Sequence, residues 1–471
     1  MRHSNRGASR DQVRFLRRQF LQDGELPFTN VLTEEVIEQA LTALRGWLDR
    51  IFTPLVTLWV FLGQVLSADP SCRAAVARLI AHRVSRRQCP CSAKTGAYCK
   101  ARKRLPETFF AEVARKTGRA LEAHVESQWR WKRRRVYVYD GSTVSMPDTA
   151  ANQRDYPQPG TQKPGLGFPL APIAAVFSLA CGAVLDVGIC RYAGKGQSEL
   201  GLLRTLWNLF RAGDVLLTDS YMCAWTEMVL LKQRGVDCVC HLNSNRSADF
   251  RRGQRLGRGD HLVQWAKPRK PRSIDRETYD ALPDFLLIRE CCIRVEQAGF
   301  RVQTLIIATT LVDTDLFTKD DLATLYRARW NAELDLRSLK ETLQMDVLRC
   351  KTPALVRKEL WTHILAYNLI RTILAQAASQ QGIEPRSLSF KGAVQTLAAF
   401  QPVIAHLGEN DADTLLEIYQ HLLDAIASHR VADRPDRIEP RLRKRRPKHY
   451  AYLRKPRQEA QRDLLKGVRK K

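Results

Sequence analysis

Short runs of β-forming residues, each closed by a turn signal or a helical segment, constrain this chain more than any other feature. In "RRRVYVYDGSTVSMPDT" the residues Val136 to Tyr139 all favour strand, and Gly141 ends the run. "APIAAVFSLACGAVLDVGIC" follows as two strands joined near Cys181 and Gly182. Residues 199–211 carry helical spacing behind Ser198, a residue type suited to cap a helix. "DVLLTDS" reads as a short buried strand, residues 221–234 as helix and "VDCVCHL" as strand. Strand runs that pass into strand–helix alternation predict a mixed α/β sheet.

The flanks differ in texture. Residues 1–34 are polar and basic and read as a loose arm; residues 35–83 read as continuing helix. The apolar run "IFTPLVTLWVFLGQVL" falls short of the roughly 20 apolar residues a membrane span needs, so a buried helix is expected. After residue 242 a basic loop, "NRSADFRRGQRLGRGD", precedes the β-like runs "FLLIRECCIRVEQ" and "RVQTLIIATTLV", which read as a β-rich insertion. Helix returns near Lys319 and again over 354–380.

The 471 residues carry a formal net charge of +27, which favours a polyanionic partner, nucleic acid before an acidic membrane surface. The tail 434–471 holds 16 Lys/Arg against 4 Asp/Glu and is expected to be disordered when free, making salt-sensitive phosphate contacts. Twelve cysteines in a long chain without a recognisable secretory signal fit a reducing compartment. Cys89, Cys91 and Cys99, with His82, lack the C-x2-C pairing usual in zinc sites, so a basic loop is expected there.

Asp140 and Asp219 each follow a strand run. In open α/β sheets chemistry gathers at the carboxyl ends of strands, so the two can face one crevice. Two such carboxylates suit Mg²⁺, which takes a few oxygen ligands and keeps water or phosphate for the rest. Asp148, Asp186, Asp214 and Asp237 lie in loops or at strand starts and rank lower.

"YRARWNAELDLRSLKETL" supplies a third acid. On an ideal helix Tyr326, Arg329, Glu333 and Lys340 fall within an arc of about 60°. Leu325, Leu336, Leu339 and Leu343 lie beside that arc, and Asp335 projects roughly 180° away, towards solvent. The helix can therefore bury its leucines and show a polar stripe in which Glu333, and not Asp335, stands with the cations. Arg329 could fork onto phosphate oxygens, Lys340 could act as a point charge, and Tyr326 could bond a phosphate or stack on a base.

The spacing Tyr-x2-Arg-x3-Glu-x6-Lys resembles the Tyr-Arg-Glu-Lys signature of DDE transposases of bacterial insertion sequences, in the group called insertion-sequence family four. "FTPLVTLWVFLGQVLSADPSCRAAVARL", "TGAYCKARKRLPE", "QKPGLGFPLAPIAAVFSLACGAVLD" and "RIEPRLRKRRPK" resemble that group too. The resemblance implies a ribonuclease-H-like catalytic core in two parts, 131–242 and 313–380, interrupted by a β-rich insertion at 243–312. It implies a helical DNA-binding domain over 1–130, a helical C-terminal region over 381–433 and the basic tail. Asp140, Asp219 and Glu333 would be the catalytic acids and hold two Mg²⁺ ions, with Mn²⁺ as a substitute. Tyr326, Arg329 and Lys340 would handle phosphates near the element end. Trp265, the only Trp of the insertion, would hold a flipped base. The partners implied are terminal inverted repeats and target DNA, engaged by a homodimer in a synaptic complex. The location implied is the bacterial cytoplasm, at the nucleoid when DNA-bound. A relative that binds DNA without cutting it, and a nuclease or junction resolvase of the same fold, are the competing readings.

Overall fold

The computed structural model describes residues 6–22, 26–42, 44, 46–47, 50–192, 194, 197–295, 303–407, 412–431 and 452–466. Six helices come first: α1 Arg6–Arg18, α2 Glu34–Thr42, α3 Pro54–Leu66, α4 Cys72–Ser85, α5 Gly96–Arg104 and α6 Glu107–Ala123. β1 (Val136–Ser145), α7 (Ala150–Asp155), β2 (Leu170–Ser178), β3 (Val184–Ile189), α8 (Glu199–Thr205), β4 (Val215–Thr218), α9 (Trp225–Gln233) and β5 (Asp237–His241) follow. Next are β6 (Gln254–Gly257), β7 (Asp260–Ala266), α10 (Arg276–Asp280), β8 (Phe285–Val295) and β9 (Gln303–Thr309). The chain ends in α11 (Lys319–Ala328), α12 (Trp330–Arg337), α13 (Pro353–Gln380), α14 (Phe390–His406), α15 (Ala412–Ser428) and α16 (Arg457–Leu465).

All nine strands form one sheet, ordered β3-β2-β1-β4-β5-β9-β8-β7-β6. The first three pair antiparallel, β4 and β5 run parallel to β1, and β9 returns antiparallel on β5. The mixed α/β expectation holds. One detail of it does not. β1 runs on through Gly141 to Ser145, because β2 pairs with it residue for residue from Tyr137↔Ser178 to Ser145↔Leu170. The β-strands expected after residue 242 are present, and because β9 hydrogen-bonds to β5 they extend the same ladder.

Helix α13 is the spine. Pro353 opens it, where a missing N–H costs nothing, and apolar residues recur on nearly every side. It is accordingly buried all round, against α3, α6, α14 and α15. Asn368 ties three elements together. Its side-chain N–H groups donate to Ala114 O (3.2 Å) and Val184 O (2.8 Å), and its oxygen accepts from Val184 N at 2.8 Å. That approach needs Gly118 on α6, where a Cβ would stand 2.2 Å from Val184 O. The N-terminal helices and the sheet thus share one apolar cluster running from Val13 to Ala427.

Elsewhere the chain is more ordered and more broken than its polarity suggests. The expected arm contains α1, with Val13 and Leu16 buried and Phe20 and Leu21 buried just after it; residues 1–5 and 23–25 of the arm lie outside the described residues. The helix expected over 35–83 is interrupted, since Thr53 and Ser71 cap new starts at α3 and α4. The apolar run 51–66 forms α3, buried, and no helix among the described residues is long and apolar enough to cross a membrane. Of the basic tail, α16 is described, while residues 432–451 and 467–471 lie outside the described residues.

His363 sits inside α13, where burial pushes its imidazole down to about 3. The unfolded value is about 6.5, so the folded state favours the neutral ring and unfolding takes up a proton between these values. This contribution is fully present above pH 6.5 and is lost as the pH falls towards 3. Chemical denaturation from pH 7 to 5 should show the wild type losing up to about 1.4 kcal/mol per pH unit relative to His363→Gln. Parallel pH dependence of the two proteins would contradict this.

Candidate functional site

Strand register brings two acids together. β1 and β4 pair from Val136↔Val215 to Val138↔Leu217, and the same register continued sets Asp140 opposite Asp219. Residues at one register in parallel strands share a face. Asp219 directly follows β4, and its Oδ1 accepts from the backbone N–H of Tyr221 (3.0 Å) and Met222 (3.4 Å), which turns the chain away. Asp140 stays within β1, past the end of its pairing with β4, and its Oδ1 accepts from Gly141 N at 2.8 Å.

The third acid arrives on a broken helix. The stretch 326–343 is not one uniform helix, as expected from its spacing. Arg329 N donates to Tyr326 O at 3.1 Å, a tightened turn between α11 and α12, and Ser338–Thr342 opens into a π turn, a feature frequent at functional sites. Asp335, expected in solvent, is fully buried. Both of its oxygens accept from Arg386, each at 2.8 Å, and Arg371 donates to Oδ1 as well. These cations lie on α13 and just before α14, far along the chain, and they turn Asp335 inward while Glu333 stays exposed.

Asp140, Asp219, Glu333, Arg329 and Lys340 line one crevice of about 580 Å³. Arg329 stands between two of the acids: Nη2 lies 3.1 Å from Glu333 Oε1 and Nη1 3.9 Å from Asp140 Oδ2. Lys340 Nζ donates to Ser142 Oγ at 2.9 Å. Tyr326 does not line the crevice. It is buried behind Arg329, whose guanidinium carbon lies 6.0 Å from its ring centre. Trp265 does not line it either. Only 3% of it is exposed, Nε1 donates to Glu290 at 2.8 Å, and Arg246 covers its ring at 4.0 Å. Ser142, Arg337, Glu341 and Asp346 also line the crevice and were not singled out from sequence. The π turn and the Ser145 N to Asp346 O bond (2.9 Å) bring the last two there, and neither has a local sequence signal. Three of the lower-ranked acids are committed to cations: Asp186 to Arg115, Asp214 to Arg135, and Asp237 to Arg134 and Lys232.

Burial, and then repulsion from Asp219 and Glu333, pushes the Asp140 carboxyl up to about 6, against the pull of Gly141 N–H and Arg329. The shift reports first that the carboxyl is taken out of water, and only then that other acids stand near it. Among the described residues no three His, Cys, Asp or Glu side chains are close enough to enclose one ion. Glu333 leans on Arg329 instead. The donor set is nevertheless all oxygen, anionic and open to solvent, which fits a hard divalent cation that keeps part of its water. Cys91 lies in a small apolar cluster and His82 packs on Phe15 and Trp59.

Residues 131–369 match the family model described as transposase DDE domain, and the chain belongs to that family. The chain is 28% identical over 208 residues to the transposase InsG for insertion sequence element IS4 of Escherichia coli strain K12, 44% of each chain. It is 33% identical over 69 residues to the transposase for insertion sequence element IS421 of Escherichia coli, 15% of this chain and 19% of that one. The chain thus spans less than half the length of these curated relatives. The cryo-EM structure of the piggyBac transposase synaptic complex with hairpin DNA covers 86% of this chain and 84% of its own at 9% identity and a TM-score of 0.42. A likeness that loose decides nothing about the site.

Because Asp335 holds α12 against α13 from within, Asp335→Ala should cost about 3–5 kcal/mol by leaving Arg371 buried without its counter-charge. Urea unfolding measures this. A loss below about 1 kcal/mol would mean the clamp contributes little.

Proposed function

We propose that this chain is a DNA transposase that cuts at the ends of a mobile element and joins them to target DNA, with Asp140, Asp219 and Glu333 as its metal-holding acids. The observation that carries this reading is the crevice where register-matched aspartates meet Glu333 beside Arg329 and Lys340. The strand order β3-β2-β1-β4-β5, three antiparallel and then two parallel, supports a ribonuclease-H-like core within the larger sheet.

The three acids would hold Mg²⁺, or Mn²⁺ in its place, and a two-metal arrangement would supply activation of an attacking oxygen and stabilisation of the leaving one. The chain's own side chains do the rest. Arg329 has a guanidinium at the crevice wall that can fork onto a phosphate once Glu333 turns to the cation. Lys340, held by Ser142, offers a further positive charge at the crevice. Tyr326 backs Arg329, so it positions the guanidinium and does not meet phosphate itself. A base could stack on Trp265 only after Arg246 leaves its ring. The net charge of +27 suits DNA, and two copies would bring two element ends together in the cytoplasm, at the nucleoid.

Asp219→Ala should keep binding to element-end DNA in a gel-shift assay and lose Mg²⁺-dependent strand cleavage. Full cleavage by that variant would sink the assignment. Lys340→Ala should flatten the salt dependence of end binding by about one unit in log K against log salt, the signature of one lost phosphate contact. An unchanged slope would remove Lys340 from the interface.

A further inference from the structure

Residues 70–106 hold ten Lys/Arg and no Asp/Glu. A block of one sign on a folded surface is the footprint of a polyanionic partner. Helix α5 gathers part of that block on one side. On an ideal helix Lys100, Lys103 and Arg104 fall within an arc of about 100°. All three are exposed, while Tyr98, Ala101 and Arg102 on the opposite side are buried.

The fold fixes this helix against the segment that completes the crevice. A helix of nine residues is marginal by itself, so its placement depends on what holds it. Lys358 of α13 is 5% exposed, and its Nζ donates to the carbonyls of Arg102 (3.2 Å) and Lys103 (3.1 Å). Carbonyls in the last turn have no partner within their own helix. Arg102 lies between the rings of Phe61 and Tyr98, and its Nη1 donates to Cys350 Sγ at 3.8 Å. Glu359 in turn accepts from Arg349 N and Cys350 N, each at 2.8 Å. Cys350 follows Asp346 of the crevice by four residues, at most about 14 Å of chain and less than half a turn of duplex DNA. Arg349 and Lys351, both exposed, flank Cys350 and add two cations to the same segment.

We propose that the exposed face of α5, with Arg349 and Lys351, carries the backbone of duplex DNA leading out of the crevice. The inference rests on the reading that the crevice works on DNA. Cations spaced along a helix that has no acid of its own fit successive phosphates, held without regard to sequence.

The test is the salt dependence of binding between the full chain and a mixed-sequence duplex of about 30 base pairs. Lys100→Gln/Lys103→Gln removes two charges from α5. Arg211→Gln/Arg234→Gln removes two exposed charges just before β4 and β5, at the strand ends away from Asp219. The first pair should lower the slope of log K against log salt by about two units, and the second by less than about half a unit. Thermal unfolding checks that both variants are folded. Equal reductions overturn the proposal, since total charge alone would then act, and so does a wild type that binds no duplex. An unchanged slope with weaker self-association in sedimentation overturns it too, and makes the face an interface between copies. Footprinting with hydroxyl radicals on element-end DNA fixes the place. The wild type should protect backbone within about 10 base pairs of the cut, and Lys100→Gln/Lys103→Gln should lose that protection. Protection lost only farther away overturns the proposal. If Asp219→Ala loses cleavage while the α5 variant keeps its slope and footprint, only the role of α5 falls. If Asp219→Ala cleaves normally, the assignment of the crevice falls, whatever the slope at α5.

Discussion

Burying Asp335 alone would cost several kcal/mol, and the fold meets that cost with two arginines from distant parts of the chain. Arg371 belongs to α13, the helix on which most of the molecule packs, and Arg386 precedes α14. The clamp therefore fixes the rotation of α12 against the best-packed element available. Glu333, two residues earlier on the same helix, is left facing out, over the strand ends. Everything the crevice can do depends on that setting. A helix held only by its leucines could roll, and Glu333 would move relative to Asp140 and Asp219 as it rolled.

The acids themselves were legible because their determinants are local. A β-forming run ending in Asp places Asp219 just past β4 and Asp140 where β1 outruns its pairing with β4, and parallel register does the rest. The four-residue spacing from Arg329 to Glu333 predicts the ion pair seen between them. The cap at Ser198 was equally local. Asp335 was misread because ideal rotation treats 326–343 as one continuous helix, and because its arginines lie 36 and 51 residues onward. β1 was cut short because glycine reads as a break, while Ala174, the residue of the neighbouring strand that pairs with Gly141, is 33 residues away.

The crevice also shows how stability and chemistry compete. Asp140 is raised by burial and by its acidic neighbours, so its charge is held at a cost to the fold. Arg329 offsets part of that cost by leaning on Asp140 and Glu333. A bound cation would take over that neutralising role, and a phosphate would then give Arg329 a new partner. The same guanidinium would be a structural counter-ion before binding and a ligand contact after it. Lys340 differs, because Ser142 and not an acid holds it, so nothing must be surrendered for it to meet an anion.

The single sheet has a mechanical consequence. Because β9 is laced to β5 by a ladder that continues through β8, β7 and β6, those strands and the strands bearing the aspartates form one plank. A plank transmits twist but has no hinge where those strands join. A load applied at its far edge would reach β4 as torsion through β5.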